Sequence, residues 1–347
     1  MEEVLGFALA LCITAGAIPV LARLAPGWGL LAQSGPRMQH QGSIPTVGGL
    51  AMGVAFLATY ALTALMSRTA SLSPLLATAV AITLAGGVLD DRHALRSLPK
   101  FAFQIAAAAL LALTGDALLT HLGQLMSAEL FTLGRWAAPL SVFALVGVMN
   151  AMNMADGLDG LAGALALAAC ISFGASASFA GHGPEFAVIC ITAGATLAFL
   201  FFNAHLPWRH QATVFMGDTG SLLLGLLLGW FAVRLSMSER PALAPITAVW
   251  MLALPIADTV TLLVRRSLRG RNPFHADRHH MHHILMALGL SSARTTALLF
   301  WLALALGIGA LIADRLGVPQ YVMFYLYMAC LVAWGCAAEV LCRRLHL

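Results

Sequence analysis

The sequence predicts an all-α, polytopic membrane protein with about eleven transmembrane helices, folded as a single domain over residues 1–347. Of the 347 residues, 60% are hydrophobic and only 10% are charged, whereas a soluble domain carries about 25% charged residues. Apolar runs of the ~20 residues needed to cross a bilayer recur along the whole chain. The net charge of +4 suits contact with anionic membrane lipids and does not indicate a nucleic-acid partner.

The predicted spans follow one another with short connections. Pro139 and nearby glycines interrupt the fifth span, which neighbouring helices can accommodate by satisfying the freed backbone groups. The first span follows Glu2 and Glu3 rather than basic residues, so a cleaved signal peptide is not expected. In chain order the predicted spans are 4–24, 46–66, 74–90, 99–119, 131–151, 161–180, 186–203, 217–235, 243–265, 294–312 and 319–342.

Basic residues predict the orientation of these spans. Most of the 19 Lys and Arg residues fall in the loops after the odd-numbered spans or at the C-terminus, which makes that side cytoplasmic. The N-terminus is then on the opposite side of the membrane and the C-terminus is cytoplasmic. Of the 12 histidines, all but His121 and His182 fall on the same side. The unusual carboxylates fall there too, so the sequence predicts cytoplasmic active-site loops.

Asp90 and Asp91 end the third span, where two adjacent carboxylates repel each other unless a cation or proton relieves them. The pair indicates a metal site or a base with a shifted pKa. The alternative is a solvated helix end paired with Arg92.

Asn153, Asp156 and Asp159 follow at three-residue spacing, which would place all three on one face of a helical turn. Oxygen ligands on one face suit Mg²⁺, held by one or two carboxylates together with substrate phosphates and water. The alternative is a polar turn with Asx capping.

Phe215 stands three positions before Asp218. Asp218 lies between two glycines, which allow a phosphate to approach the backbone. Phe215 could stack on a flat base. The alternative is an ordinary helix start with Asp218 as its N-cap.

The densest cluster runs from His275 to His283 and includes Arg278. Arginine and protonated histidine favour anionic phosphate oxygens, so the cluster indicates diphosphate binding. A Zn²⁺ site and a bland interfacial loop are the alternatives. Asp258 lies inside the ninth span and is interpreted as a buried structural carboxylate in preference to a catalytic one.

Taken together, these motifs resemble the polyprenyl-phosphate N-acetylhexosamine-1-phosphate transferases, in particular their WecA-like branch. Met38 and His279 stand where relatives often carry Lys and Gln, respectively. The matching segments, in order over residues 37–283, are RMQHQGSIPTVGG, VLDDR, NMADGLDGLAG, FFNAH, VFMGDTGS, LPIADTV and NPFHADRHHMHH.

The resemblance implies an enzyme that transfers N-acetylhexosamine-1-phosphate, by default GlcNAc-1-phosphate, from a UDP-sugar to undecaprenyl phosphate, with release of UMP. It implies Mg²⁺ as cofactor, with Mn²⁺ as a substitute, and a product that starts a lipid-linked surface glycan such as O-antigen or enterobacterial common antigen. It assigns catalysis to Asp90, Asp91 and Asp156, the metal to Asp218 and Asn153, the nucleotide to Phe215, Asp159 and Asn203, the diphosphate and sugar to Arg265, Arg278, His280, His282 and His283, and a place in the loop before the second span to His40.

Several alternatives stay open at this point. UDP-N-acetylquinovosamine and UDP-N-acetylfucosamine are alternative donors, and a homodimer is a further expectation. Direct attack by the lipid phosphate and a covalent two-step route both fit the residues. A secondary transporter is the alternative from another class, and it would place polar groups near the bilayer midplane within paired repeats.

Overall fold

The computed structural model describes residues 2–32, 43–66, 73–205, 209, 211–270 and 280–345. His40 and Arg278 lie outside these residues. Two short strands, β1 (Leu31–Ala32) and β2 (Ile44–Pro45), pair antiparallel before the second helix. The helices are α1 (Glu2–Trp28), α2 (Gly48–Met66), α3 (Pro74–His93), α4 (Ser97–Leu113), α5 (Ala137–Ala155), α6 (Leu161–Ala180), α7 (Gly183–Asn203), α8 (Gly217–Met237), α9 (Pro245–Met251), α10 (Ala253–Leu268), α11 (Met281–Ala287), α12 (Ser292–Arg315) and α13 (Gln320–Arg344), with a 3₁₀ turn at Gly134–Trp136.

The predicted fold class is confirmed, whereas the count of eleven spans is not. Within the described ranges, nine helices are long and apolar enough to cross a membrane, and the bent pair α9–α10 makes a tenth. Helix α4 has 17 residues and is too short to count by the same measure. Each predicted span therefore overlaps a helix, but nine or ten of them qualify as spans on length and composition.

Helix α4 is shorter than the predicted span 99–119 because the chain turns after Leu113. Gly115 has a φ of +82°, a left-handed conformation that glycine adopts without steric cost. The backbone N–H of Ala117 donates a hydrogen bond to the carbonyl of Leu111 at 2.9 Å. The helix is thereby closed at its end, and residues 114–119 form the turn that follows.

The predicted span 243–265 is broken at Leu252, where α9 and α10 meet at an angle of 84°. Pro255 lies in the first turn of α10, and a proline lacks the N–H that would continue a helix through it. The break turns α10 toward the end of the bundle that gathers the polar residues.

Helix α8 lies at the centre of the bundle, and most of its residues are buried. Its first turn packs so closely against α2 and α3 that a Cβ on Gly49 would collide with the backbone of Gly220, and one on Gly87 with the backbone of Thr219. Small residues permit this close approach of membrane helices. These contacts fix the start of α8 against α2 and against α3, the helix that carries both Asp90 and Asp91.

Residues predicted to lie on opposite sides of the membrane also separate in the structure. At one end of the bundle, Trp230 Nε1 donates to Asp116 at 2.8 Å and Arg234 Nε contacts Glu185 at 3.0 Å. The predicted cytoplasmic carboxylates gather at the other end, as described next. The direction of the bundle in the membrane stays a prediction.

Candidate active site

The centre of the candidate site is an ammonium group that holds two carboxylates. Asp90 lies in the last turn of α3, which ends at His93, and Ala94, with a φ of 47°, turns the chain toward α4. That turn brings Lys100 back to Asp90, with Nζ 2.6 Å from Oδ2. The same Nζ contacts Oδ2 of Asp218 at the start of α8. Lys100 thus offsets the repulsion between two acidic residues from different helices.

Asp91 has a different task from its neighbour. Its carboxylate accepts hydrogen bonds from the backbone N–H of Asp218 at 2.7 Å and of Thr219 at 3.1 Å, and from the Thr219 hydroxyl at 2.6 Å. These N–H groups belong to the first turn of α8, where unsatisfied donors and the helix dipole favour a negative charge. The alternative in which Asp218 caps α8 is therefore wrong, because Asp218 lies inside the first turn of α8 and Asp91 of α3 supplies the capping carboxylate.

Gly217 permits this capping arrangement. Its φ is +68°, and a Cβ at this position would collide with the Asp91 carboxylate. The glycine before Asp218 is thus required by backbone conformation and by space.

Asn153, in the last turn of α5, orients Asp218. Its side-chain amide donates to Asp218 Oδ1 at 2.7 Å and to Ser221 Oγ at 2.9 Å. With Lys100 on its other oxygen, Asp218 is held in one orientation, with its side chain 31% exposed. The predicted role of Asn153 as a metal ligand stays a prediction, because here the amide is used as a donor.

A divalent cation fits this donor set as a partner shared with substrate. No group of three His, Cys, Asp or Glu side chains with metal-binding spacing occurs in the described part of the chain. Mg²⁺ does not need such a cage, because one or two carboxylates plus substrate phosphates and water suffice. Asp90 and Asp218 already converge on one cation, the Lys100 ammonium. Their oxygens therefore lie where a positive charge is stabilised.

The segment after α5 does not form the helical turn that its spacing suggested. The helix ends at Ala155, and Asp156 follows with non-helical angles. Its carboxyl group is partly buried, and burial, followed by the nearby charges of Asp218, Asp91 and Asp159, raises its pKa to about 7. No hydrogen bond to this carboxyl group comes from any residue that the structure describes. Asp156 is thus a carboxyl group able to exchange a proton near neutral pH.

Asp159 turns toward the segment between α7 and α8. His205 Nε2 lies 2.9 Å from its Oδ2, and the N–H of Ala212 lies 3.4 Å from the same oxygen. Asn203 is buried nearby and fully engaged: its Oδ1 accepts from the N–H of Gly160 at 2.6 Å, and its Nδ2 donates to the Val214 carbonyl at 2.8 Å. Asn203 therefore ties two predicted nucleotide-binding segments together.

Phe215 continues this segment and is anchored through its backbone. Its N–H donates to the Pro45 carbonyl at 2.8 Å, and its carbonyl accepts from the N–H of Gly48 at 3.0 Å. The β-pair and the start of α2 therefore fix the position of Phe215. Its predicted stacking on a base stays a prediction.

Three histidine rings at the start of α11 lie against one another. The centroids of His280 and His282 are 5.4 Å apart and those of His282 and His283 are 4.3 Å apart. Asp258 fixes this group, since it accepts from His280 Nδ1 at 2.8 Å and from the N–H of Met281 at 2.7 Å. The interpretation of Asp258 as a structural carboxylate agrees with these contacts.

His282 joins the histidine group to the segment that carries Asp156. It is 2% exposed, and a Cβ on Gly157 would lie 2.6 Å from its Nε2. Within the described residues this Nε2 has no hydrogen-bond partner. Burial, followed by the neighbouring His283 and His280, lowers the pKa of His282 to about 3. The ring is therefore neutral at physiological pH, with a nitrogen left over for a ligand.

Arg265 is not brought to this site. Its Nε contacts Glu339 on α13 at 2.8 Å, and its Nη1 contacts Cys342 Sγ at 3.2 Å. Its assignment to the diphosphate stays a prediction, and its described partners lie on α13.

Lys100 is the site residue that sequence reasoning missed, because it was counted only as a basic residue that orients the membrane spans. The available signal was its closeness in sequence to Asp90 and Asp91, because the segment RSLPK follows VLDDR after a few residues. Thr219 and Ser221, which bond Asp91 and Asn153, were also missed, although both stand in the MGDTGS motif.

The chain is similar in sequence to known proteins. Residues 72–236 match the model of the family "Glycosyl transferase family 4". The matched range contains Asp90, Asp91, Lys100, Asn153 and Asp218. The chain is 33% identical to the undecaprenyl-phosphate alpha-N-acetylglucosaminyl 1-phosphate transferase of Escherichia coli K12, over 90% of this chain and 84% of the relative.

Proteins of two other bacteria are also similar to this chain. The chain is 30% identical to the Yersinia pestis protein of the same name, over 91% of this chain and 86% of the relative. It is also 30% identical to the probable undecaprenyl-phosphate N-acetylglucosaminyl 1-phosphate transferase of Bacillus subtilis, over 85% of this chain and 80% of the relative. With this similarity along nearly its whole length, the chain belongs to glycosyl transferase family 4, alongside these bacterial 1-phosphate transferases.

Proposed function

We propose that this protein transfers GlcNAc-1-phosphate from UDP-GlcNAc to undecaprenyl phosphate and releases UMP. The observation that carries the proposal is the convergence of Asp90 and Asp218 on Lys100, in a chain whose relatives bear the name of that activity. The product, undecaprenyl-diphospho-GlcNAc, would start a lipid-linked surface glycan. The site faces the cytoplasm of a bacterium from its inner membrane.

The reaction joins two anions. An oxygen of the lipid phosphate attacks the sugar-bearing phosphorus of the donor, a new P–O bond forms, and the bridging P–O bond to UMP breaks. Phosphoryl transfer of this kind depends mainly on positioning and on neutralising charge. Lys100 supplies positive charge at the centre, while Asp91 keeps the start of α8 in place beneath it.

Mg²⁺ is the proposed cofactor, with Mn²⁺ as a substitute, and when bound it neutralises phosphate oxygens and polarises the phosphorus that is attacked. Asp218 would hold it, with Asn153 fixing the carboxylate from the other side. Asp90 is the second carboxylate within reach of the same cation position, because both contact Lys100.

Asp156 would accept a proton from the lipid phosphate when that phosphate arrives as a monoanion. The second pKa of a phosphate monoester is about 6, so most of the acceptor is already a dianion at about pH 7. Deprotonation is therefore a small part of the barrier at neutral pH. The charge-neutralising residues carry the larger part.

The donor head is assigned to two groups of residues. The segment with Asp159, Asn203 and Phe215 would bind uridine, and the histidine group would bind the diphosphate and amino sugar. His282 suits this role because its ring is neutral and its Nε2, which has no hydrogen-bond partner among the residues that the structure describes, can hydrogen-bond to a sugar or phosphate group.

A donor panel tests the proposal. Purified protein in nanodiscs receives undecaprenyl phosphate, Mg²⁺ and radiolabelled UDP-GlcNAc, UDP-N-acetylquinovosamine or UDP-N-acetylfucosamine. The expected result is label in the organic phase with UDP-GlcNAc, loss of product with EDTA, and recovery with Mg²⁺ or Mn²⁺. Asp218→Asn should remove turnover with every donor. With the same protein reconstituted into vesicles, uptake of label without a lipid product would instead indicate a transporter. Light scattering of the purified protein tests the expected homodimer.

A further inference from the structure

The last helix carries one carboxylate that binds three arginines. Glu339 of α13 contacts Arg265 Nε at 2.8 Å, Arg269 Nη2 at 2.6 Å and Arg343 Nε at 2.9 Å. Arg265 lies in the last turn of α10, and Arg269 is the residue after that helix. Arg343 belongs to α13 itself. Glu339 therefore ties the end of α10 to α13.

The exposure of the three arginines separates their contributions. The Arg343 side chain is 76% exposed, whereas that of Arg265 is 10% exposed. An exposed pair within one helix contributes little because water screens it. The pair between Glu339 and Arg265 is shielded, and Arg265 Nη1 also reaches Cys342 Sγ at 3.2 Å. The contact between the two helices is thus the one that matters structurally.

A second contact with α13 is made by residues that follow 271–279 in the sequence. Ile284 of α11 is fully buried, and it packs in one cluster with Ala338 and Cys342 of α13. Helix α13 therefore holds the chain before residue 271, through Glu339, and after residue 279, through this apolar cluster. The histidine group that begins α11 sits directly beside the second contact.

We infer that Glu339 is a positioning residue for donor binding, and this inference rests on the proposed function. It fixes the end of α10, the helix whose Asp258 binds His280 and Met281 at the start of α11. Together with the apolar cluster of Ile284 on α11, Glu339 thereby holds the histidine group in place. Without the carboxylate, the arginines of this corner repel one another and the end of α10 is free to move from α13. A binding group that must first be ordered binds its ligand more weakly.

The inference is tested with Glu339→Gln in the assay described above. We expect the KM for UDP-GlcNAc to rise about tenfold, while the KM for undecaprenyl phosphate stays near that of the wild type. The thermal unfolding midpoint should fall, because the shielded Arg265 loses its partner. Glu339→Asp should recover part of the affinity. An unchanged donor KM, or an equal rise in both KM values, would overturn the inference.

Two control variants sharpen the comparison. Arg343→Gln removes only the exposed partner and should leave the donor KM unchanged. Glu185→Gln removes a similar carboxylate, paired with Arg234 at 3.0 Å at the other end of the bundle, and should also leave the donor KM unchanged. An equal increase in donor KM in either control would indicate a general loss of stability and would overturn the positioning role.

Hydrogen exchange separates failure of this inference from failure of the proposed function. Peptides that cover α11 should exchange faster in Glu339→Gln than in the wild type, and at the wild-type rate in Glu185→Gln. This measurement needs no turnover, so it remains decisive if the wild-type protein transfers no sugar phosphate. Unchanged exchange in α11 would show that Glu339 does not hold this part of the chain.

Discussion

Replacement of Lys100 by glutamine should abolish most activity while leaving the fold intact. Its Nζ is 2.6 Å from Asp90 Oδ2 and also contacts Asp218. Two unit charges about 4 Å apart attract by about 4 kcal/mol at an effective dielectric constant of ~20. The Lys100 side chain is 24% exposed, so screening reduces this to about 1–2 kcal/mol of coupling for each pair. Loss of the ammonium leaves two carboxylates facing each other where the substrates bring more negative charge.

The expected cost in kcat is about 100-fold, which corresponds to about 2.7 kcal/mol of transition-state stabilisation. A double-mutant cycle of Lys100→Gln and Asp90→Asn, assayed for turnover at saturating substrates and for thermal unfolding, measures the coupling. We expect the double variant to unfold at a higher temperature than Lys100→Gln alone and to remain inactive. Lys100→Arg keeps the charge and serves as the control. More than half of wild-type turnover in Lys100→Gln, or strictly additive effects on unfolding, would refute this reasoning.

Three further predictions concern neighbouring parts of the site. Gly217→Ala should lower activity and stability together, because its φ of +68° and the adjacent Asp91 carboxylate leave no room for a Cβ; wild-type unfolding and turnover would contradict this. Burial raises the pKa of Asp156 to about 7. Between its unfolded pKa and that value the unfolded state releases the proton more readily than the folded state, so the stability of the fold falls as pH rises through this range. Asp156→Asn should therefore unfold at a higher temperature than the wild type at alkaline pH and show no difference at acidic pH, and its acidic limb of activity should move from about pH 7 toward the phosphate pKa of about 6. Asp258→Asn, which loses the acceptor for His280 Nδ1 and Met281 N, should raise the donor KM more than the acceptor KM in the same assay, and equal changes in both would argue against a role in holding the histidine group.

Hydropathy was sufficient to predict the helices because a membrane helix must satisfy its backbone hydrogen bonds internally and face lipid with apolar side chains. The same rule did not reveal where the chain breaks. The end of α4 at Leu113 depends on a left-handed Gly115, and the bend at Leu252 depends on how α9 and α10 pack. The sequence marks these positions only by Gly115 and Pro255. Membrane helices tolerate both residue types, so neither predicts a break on its own.

The gathering of Asp90, Asn153, Asp156 and Asp218 at one end of the bundle followed from the parity of the spans. Their individual partners did not, because each partner comes from a different helix. Asp90 and Asp91 are adjacent in sequence, yet one binds a lysine and the other caps α8. Arg265, which was assigned to the diphosphate, forms an ion pair with Glu339 on α13. That contact depends on tertiary packing between segments far apart in the chain.

The excess of negative charge at the site is the reason to expect that it needs a further cation. Among the residues described around the centre, Asp90, Asp91, Asp156 and Asp218 are acidic, and Lys100 is the cation that contacts two of them. Asp91 is offset by the donors at the start of α8, and Asp156 can be neutralised by a proton at about pH 7. The remaining carboxylates share one ammonium, and two phosphorylated substrates would add further negative charge. Anions do not bind to such a centre unless more positive charge arrives with them. A divalent cation that entered with the donor diphosphate would supply that charge where Asp218 is already oriented, and for this reason the proposed mechanism places metal binding and donor binding at the same carboxylate.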